Sequence, residues 1–324
     1  MAKSDSRHKD KPTILVTNDD GIASPGIRAL VEEMKRFGHV VVVAPDSPQS
    51  GMGHAITIDN PLRLDRVEIF EGVESYECSG TPVDCVKLAV DKIIRGKPDL
   101  CVSGINHGSN SSINVIYSGT MSAAMEAAIE GIHAVGFSYL NYSFESDLTL
   151  PRRVVREVTE QVLKNGLPEH TLINVNIPNI PESAYKGIRI CRQAVAKWVE
   201  EFTERIDPRG RKYYWLTGKF VNYDRGDDTD LQEHMTVHFQ RHQRIGDVFR
   251  YRHQVGDFPG DDCRTGGGEE PAAHNEAHQT LRNQLSDHRQ AEAGNHQLTD
   301  RLQRIAQDQP VNRDDTSVAG ELRP

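Results

Sequence analysis

The chain has 324 residues, a formal net charge of −9 and five scattered cysteines. That length suits one large α/β domain with an appendage, or two domains, and the acidic balance argues against a general binder of nucleic-acid polymers, because no basic surplus exists to neutralise phosphates. Without a CxxC pair neither a zinc ribbon nor a disulfide framework is supported, and Cys78, Cys85 and Cys101 read as buried thiols of a reducing compartment.

Residues 1–12 are polar and lack the apolar core of a secretory signal. No run of about 18 apolar residues suggests a membrane span, so the expectation is a cytoplasmic protein with no membrane contact. From 13 to about 180, strand and helix signals alternate. Thr13–Val16 is a short apolar run that ends in Thr17-Asn18-Asp19-Asp20-Gly21. Pro25–Phe37 has helical spacing, with proline near its start. Val40–Ala44 is a continuous β-branched run, the mark of a strand buried on both faces. Val83–Ile94 reads as a helix entered through Gly80-Thr81-Pro82, and Leu100–Val102 as another buried strand. The helix Ala123–Ile129, the strand Ala134–Ser138, the helix Val154–Leu163 and the strand Leu172–Ile177 complete the series. Strands spaced by helices imply right-handed crossovers and a parallel sheet with helices on both faces, here over 13–184. Residues 185–230 change character: Ile188–Cys191, Lys212–Leu216 and Phe220–Asn222 predict an antiparallel β extension, with Trp198 and Trp215 as packing anchors.

The segment 231–324 holds eight of the fourteen histidines, eleven arginines and no lysine, whereas 1–230 holds twelve lysines and fifteen arginines. No aromatic residue follows Phe258. Such a composition predicts a largely disordered tail whose histidines are solvated rather than metal-sensing. The abrupt loss of lysine suggests a shift of reading frame near Leu231. Sequencing the coding DNA tests this, and an alternative frame lacking an apolar, strand-like continuation refutes it.

The chemistry-bearing residues cluster in loops that follow strands. Asp19-Asp20 are adjacent carboxylates at the end of the first strand. Either a divalent cation that suits hard oxygen ligands, Mg²⁺ or Mn²⁺, relieves their mutual repulsion, or they belong to an ordinary Asx-rich turn that caps the following helix. Pro45–Gly53 is a hydroxyl- and glycine-rich loop after the next strand. Gly80-Thr81-Pro82-Val83-Asp84 reads either as part of a site or as a helix cap at Thr81. Ser103–Asn110 and Tyr117-Ser118-Gly119-Thr120 are polar loops, the second opening a helix whose N-terminus suits a phosphate. No Walker lysine is present. His107 is a candidate base or a structural hydrogen-bonder. A dinucleotide-dependent oxidoreductase is disfavoured, because Asn18-Asp19-Asp20-Gly21 stands where GxGxxG belongs.

These motifs resemble the SurE family of nucleotidases: Val16–Gly21 with Ala23–Ile27, Val43–Asp46 with Gln49–Gly51, Gly80–Val86, Ser103–Asn106, Gly108 with Asn110, and Tyr117–Thr120. The likeness continues through Asn174–Pro178 and more loosely to Asp230. The resemblance implies a Rossmann-like parallel sheet with a smaller antiparallel extension and hydrolysis of nucleoside 5′-monophosphates, with 3′-nucleotides and short polyphosphate alongside. It places one divalent metal ion per subunit on Asp19, Asp20, Ser50 and Asn106, with Asp19 and Asp20 catalytic, and puts phosphate on Asn110, Ser118, Gly119 and Thr120. It also implies a homodimer or tetramer. After Asp230 the family's C-terminal element is missing or unrecognisable, which puts assembly in question and leaves a nucleotide-binding protein with impaired catalysis as the alternative.

Overall fold

The computed structural model describes residues 11–231 and the strand 237–241. A nine-stranded sheet runs in the order β3-β4-β2-β1-β5-β6-β7-β11-β8. Its central members are β1 (Thr13–Thr17), β2 (His39–Pro45), β4 (Glu74–Cys78), β5 (Leu100–His107), β6 (His133–Tyr139) and β7 (Leu172–Ile177), all parallel. β3 (Leu64–Val67) closes one edge antiparallel to β4. At the other edge β11 (Val237–Arg241) runs antiparallel to β7 and parallel to β8 (Ile188–Cys191).

The apolar runs become strands buried on both faces because helices cover both sides. Ile14, Val16, Val40, Val42, Leu100 and Val102 pack toward α1 (Pro25–Met34) and α5 (Thr149–Asn165). The alternate residues Leu15, Val41, Val43 and Cys101 pack toward α2 (Pro82–Leu88), the one-turn α3 (Asn114–Tyr117) and α4 (Gly119–Ile129). This is the period-2 geometry of a strand working for two cores at once. α1 starts where Ser24 accepts the Ile27 N–H and Pro25 occupies the first turn. α2 starts at a reciprocal capping box, Thr81 with Asp84, so the capping reading of Gly80–Asp84 holds. The helix expected to run unbroken to Ile94 passes at Ala89 into a single π turn and stops at Arg95, whose φ is +54°. Buried Glu33 on α1 is shared by Arg36 at 3.0 Å, Arg156 at 3.0 Å and Arg152 at 3.5 Å, which joins α1 to α5.

One glycine controls how closely α1 approaches the site. A Cβ on Gly26 would lie 2.0 Å from the Ile105 carbonyl oxygen, which belongs to the backbone and cannot rotate away. Gly26→Ala is therefore expected to push α1 off β5 and destabilise the fold by roughly 1–3 kcal/mol, the usual cost of overpacking. A urea titration of variant and parent checks it. Equal midpoints would show that the helix yields freely.

Two expectations require correction. The Glu-rich segment 196–206 is a strand, β9 (Ala196–Ile206), and β10 (Lys212–Asn222) is continuous where two short strands are predicted. They pair over their full lengths as a separate antiparallel ribbon. Trp198 and Trp215 do not anchor a core: they are 44 % and 63 % exposed, because a two-stranded ribbon presents both faces to solvent. Within the segment expected to be largely disordered, Val237–Arg241 supplies a strand of the main sheet. The remainder of the expected disordered tail, 242–324, lies outside the described residues. Thr229 and Asp230 are buried, so the packed unit reaches at least to 230. Among the described residues no helix is long and apolar enough to cross a membrane.

Candidate metal and phosphate site

The strand order reverses at β1, with β2 on one side and β5 on the other, and open α/β sheets bind ligands outside the C-terminal ends of the strands at such a point. Asp19 and Asp20 follow β1 there. The Asn18 amide donates to the Gly21 carbonyl at 2.9 Å and to Ser24 Oγ at 2.9 Å, so the turn holding the two acids is braced against the cap of α1. The loop after β2 joins the turn through the Gln49 N–H, which donates to the Asp19 carbonyl at 2.8 Å. The loop after β5 joins through the His107 N–H, 3.4 Å from Asp20 Oδ2. Asn106 is fixed by donation from Nδ2 to the Gly108 carbonyl at 3.0 Å, which leaves its oxygen end for an electropositive ligand. Ser50 is exposed next to Gln49, without a hydrogen bond to the aspartates.

α4 points its first turn at Asp19. The Thr120 hydroxyl donates to Asp19 Oδ1, and the Thr120 backbone N–H also favours the ionised acid. A Cβ on Gly119 would fall 2.6 Å from the Cβ of Asp19, so only glycine lets the helix approach this closely. These contacts define which atoms of the expected phosphate loop are already engaged. Thr120 Oγ1 is committed to the aspartate, and Ser118 Oγ accepts the Met121 N–H at 3.0 Å as the helix cap. Of the expected phosphate groups, the Gly119 N–H and the Ser118 hydroxyl proton keep the freedom to donate.

Asn110 is buried in a network unreadable from its own loop. Its N–H donates to Asn176 Oδ1 at 2.9 Å, its Nδ2 to Ser138 Oγ at 2.8 Å, and its carbonyl accepts from Asn174 Nδ2 at 2.8 Å. Asp230, 118 residues further along the chain than Ser112, clamps the same loop by accepting the Ser112 N–H at 2.7 Å and the Ala194 N–H at 2.9 Å. Asn174, Asn176 and Asp230, which the sequence reading includes in the likeness without a role, thus support the loop that carries Asn110. A signal existed for the first two, as paired asparagines in an otherwise apolar buried strand.

His107 does not face the aspartates as a base. Its ring lies 4.5 Å from the Phe144 ring and makes no hydrogen bond of normal geometry, although the Ser143 and Asn141 backbones favour its charged form. Burial outweighs them and lowers its pKa, so the ring is neutral at pH 7.

Burial raises the Asp19 carboxyl from 3.8 to about 6. The Thr120 hydrogen bond opposes this and repulsion from Asp20 adds to it. Asp20 is raised too, again chiefly by burial. Among the described residues no ion pair includes either acid. Buried carboxylates without a basic partner are costly. Beside them Asn18 Oδ1, Thr17 Oγ1 and Ser103 Oγ are buried without hydrogen-bond partners. Two acids and neutral oxygens suit a hard divalent cation, and among the described residues no cluster of three or more His, Cys, Asp or Glu competes as a metal site.

Comparison with known proteins agrees with this arrangement. The family model described as "Survival protein SurE" matches residues 14–200. The 5′-nucleotidase SurE of Christiangramia forsetii is 64 % identical over 225 residues, 69 % of this chain and 86 % of that protein. That of Flavobacterium psychrophilum is 60 % identical over 221 residues, 68 % and 86 % of the two chains. The crystal structure of the SurE protein from Aquifex aeolicus superposes with a TM-score of 0.62 at 36 % identity, covering 76 % of this chain and all of that one. A family match across more than half the chain, with relatives at this identity, leaves one conclusion: the chain belongs to the SurE family.

Proposed function

We propose that the chain is a divalent-metal-dependent nucleotidase of the cytoplasm that hydrolyses nucleoside 5′-monophosphates to nucleoside and phosphate, with 3′-nucleotides and short polyphosphate as further substrates. The observation that carries it is the pairing of buried Asp19, which meets the first turn of α4, with half-buried Asp20, neither acid in an ion pair among the described residues, at the sheet's switch point. The 5′-nucleotidase names of relatives at 64 % and 60 % identity support the substrate class. The free, buried state of Cys78, Cys85 and Cys101 fits a reducing compartment.

Asp19, Asp20, Ser50 and Asn106 would hold the cation. When bound, Mg²⁺ or Mn²⁺ supplies positive charge for phosphoryl oxygens and acidifies water near neutral pH. The chain does the rest. Thr120 holds Asp19 in one orientation, and the His107 N–H does the same for Asp20. The first turn of α4 offers Gly119 N–H and the Ser118 hydroxyl to phosphate oxygens, and its dipole favours the negative charge that accumulates there. Asn110, locked by Asn174, Asn176 and Ser138, sets the opposite wall. Attack by Asp19 to form a phospho-enzyme is disfavoured, because its carboxylate is buried and hydrogen-bonded.

Every proposed ligand lies upstream of 230, so hydrolysis is favoured over nucleotide binding without turnover. Phosphate release from AMP and GMP decides it. Turnover with Mn²⁺ or Mg²⁺ that EDTA abolishes is expected. Nucleotide binding without release, or release indifferent to EDTA, would overturn the proposal.

The ribbon bears on assembly. Phe202, Ile206, Tyr214, Trp215 and Leu216 are each more than half exposed, and an isolated two-stranded ribbon is marginal in water. β9 carries Lys197, Glu200, Glu201, Glu204 and Arg205 and β10 carries Lys212 and Lys219, with Lys212 already paired to Glu204, so both signs lie along the ribbon and a second copy's ribbon can match them. The proposed partner is therefore another copy of this chain. Phe202→Glu with Trp215→Glu should shift sedimentation from dimer or tetramer to monomer. A monomeric parent would refute this.

A further inference from the structure

Glu126 lies on α4, the helix that presents Thr120 to Asp19, and is only 3 % exposed. Its carboxylate is shared between two other segments. Oε2 meets His54 Nε2 at 2.8 Å, and Oε1 takes the Lys87 ammonium from α2. His54 belongs to the loop that follows Ser50. That loop is held at its near end by Gln49, whose N–H reaches the Asp19 carbonyl. Beyond His54 it is held again: Thr81 Oγ1 donates to the Ala55 carbonyl at 2.7 Å, and Thr57 donates to Asp84 through its N–H at 3.1 Å and its hydroxyl at 2.6 Å. Gly53 reaches the Tyr117 carbonyl at 3.2 Å. Between these anchors Ser50, Gly51 and Met52 are exposed.

Ser50 thus hangs on a short span. One end is fixed to the aspartate turn, and the other is fixed to the helix that carries the phosphate-side residues. We infer that the His54–Glu126 contact is a positioning clamp: by fixing the far end of this span against α4, it holds Ser50 beside Asp19 and Asp20 and so sets the affinity for the metal. This rests on the metal site proposed above. His54 and Glu126 touch neither metal nor substrate, so they act through Ser50 and are positioning residues. The alternative is that Glu126 is merely a buried acid satisfied by two partners, whose loss lowers stability and nothing more.

Direct Mn²⁺ binding, followed by the electron paramagnetic resonance of the free ion, separates the two. His54→Ala is expected to weaken Mn²⁺ binding about tenfold, the scale of losing a group that orients a metal ligand, while kcat for AMP at saturating Mn²⁺ is largely retained. His54→Gln, whose amide can still donate to Glu126, should recover most of the affinity. Glu126→Gln, which loses the charge that His54 and Lys87 share, should weaken binding by at least a similar factor, and adding it to His54→Ala should cost little further Mn²⁺ affinity, because the His54 contact is then already gone. Amide hydrogen exchange of 50–53 should quicken in His54→Ala without metal. If His54→Ala and Glu126→Gln melt lower yet bind Mn²⁺ like the parent, the clamp is structural only and the inference falls while the metal site stands. If the parent binds no Mn²⁺, the metal reading itself fails and takes this inference with it.

Discussion

Asp20→Asn is expected to lower phosphate release from AMP by at least about 10³-fold while leaving the fold intact. A bound cation contributes several kcal/mol of charge stabilisation to phosphoryl transfer, and several kcal/mol is about three decades of rate. Asp20 is the more open of the two acids and is held by one long contact from the His107 N–H, so the amide should fit without rearrangement. Asparagine keeps the size and one oxygen but removes the charge that offsets the ion. The measurement is kcat across a Mn²⁺ titration, with circular dichroism to confirm folding. Parent-like activity at saturating Mn²⁺ would show that Asp20 holds no metal.

The second large effect is a coupling of stability, pH and metal at Asp19. Its carboxyl titrates near 3.8 in the unfolded chain and at about 6 when folded. Between those values the folded protein keeps a proton that the unfolded one has released. Stability of the metal-free protein therefore falls as pH rises through that window. Once both forms are ionised the cost is constant, about 3 kcal/mol for a gap of this size. Asp20, also raised by burial, pushes the same way. A divalent cation binds the ionised pair and reverses the penalty. The melting temperature without metal should thus drop between pH 4.5 and 7, and Mn²⁺ should raise it more at pH 7.5 than at pH 5. Asp19→Asn should flatten both trends. A metal-free melting temperature that climbs across this window, equally in parent and variant, would remove Asp19 as the cause.

Much of the architecture could be read locally. Continuous apolar runs such as Val40–Ala44 signal strands covered on both faces, and Pro25 after Ser24 marks the start of α1. Both signals come from neighbours in the chain, and both hold in the structure. β3, β4 and β9 escape such reading: β3 is an edge strand, β4 lies just inside it, and β9 is half of a ribbon. Charged residues break up their apolar pattern, and their pairing partners, not their composition, make them strands. The same limit explains Trp198 and Trp215. Their size suggests burial, but burial depends on a second layer that the ribbon lacks.

By itself the sequence determined that this is an α/β protein of the SurE family, with polar loops after β1, β2 and β5 and two adjacent acids among them. Only the tertiary structure decided what each polar group does. Thr120 bonds Asp19 across 101 residues, and Asp230 bonds Ser112 across 118. Hydrogen bonds and desolvation act through space over a few ångströms, so the role of a hydroxyl or carboxylate is set by whichever distant segment the fold brings beside it.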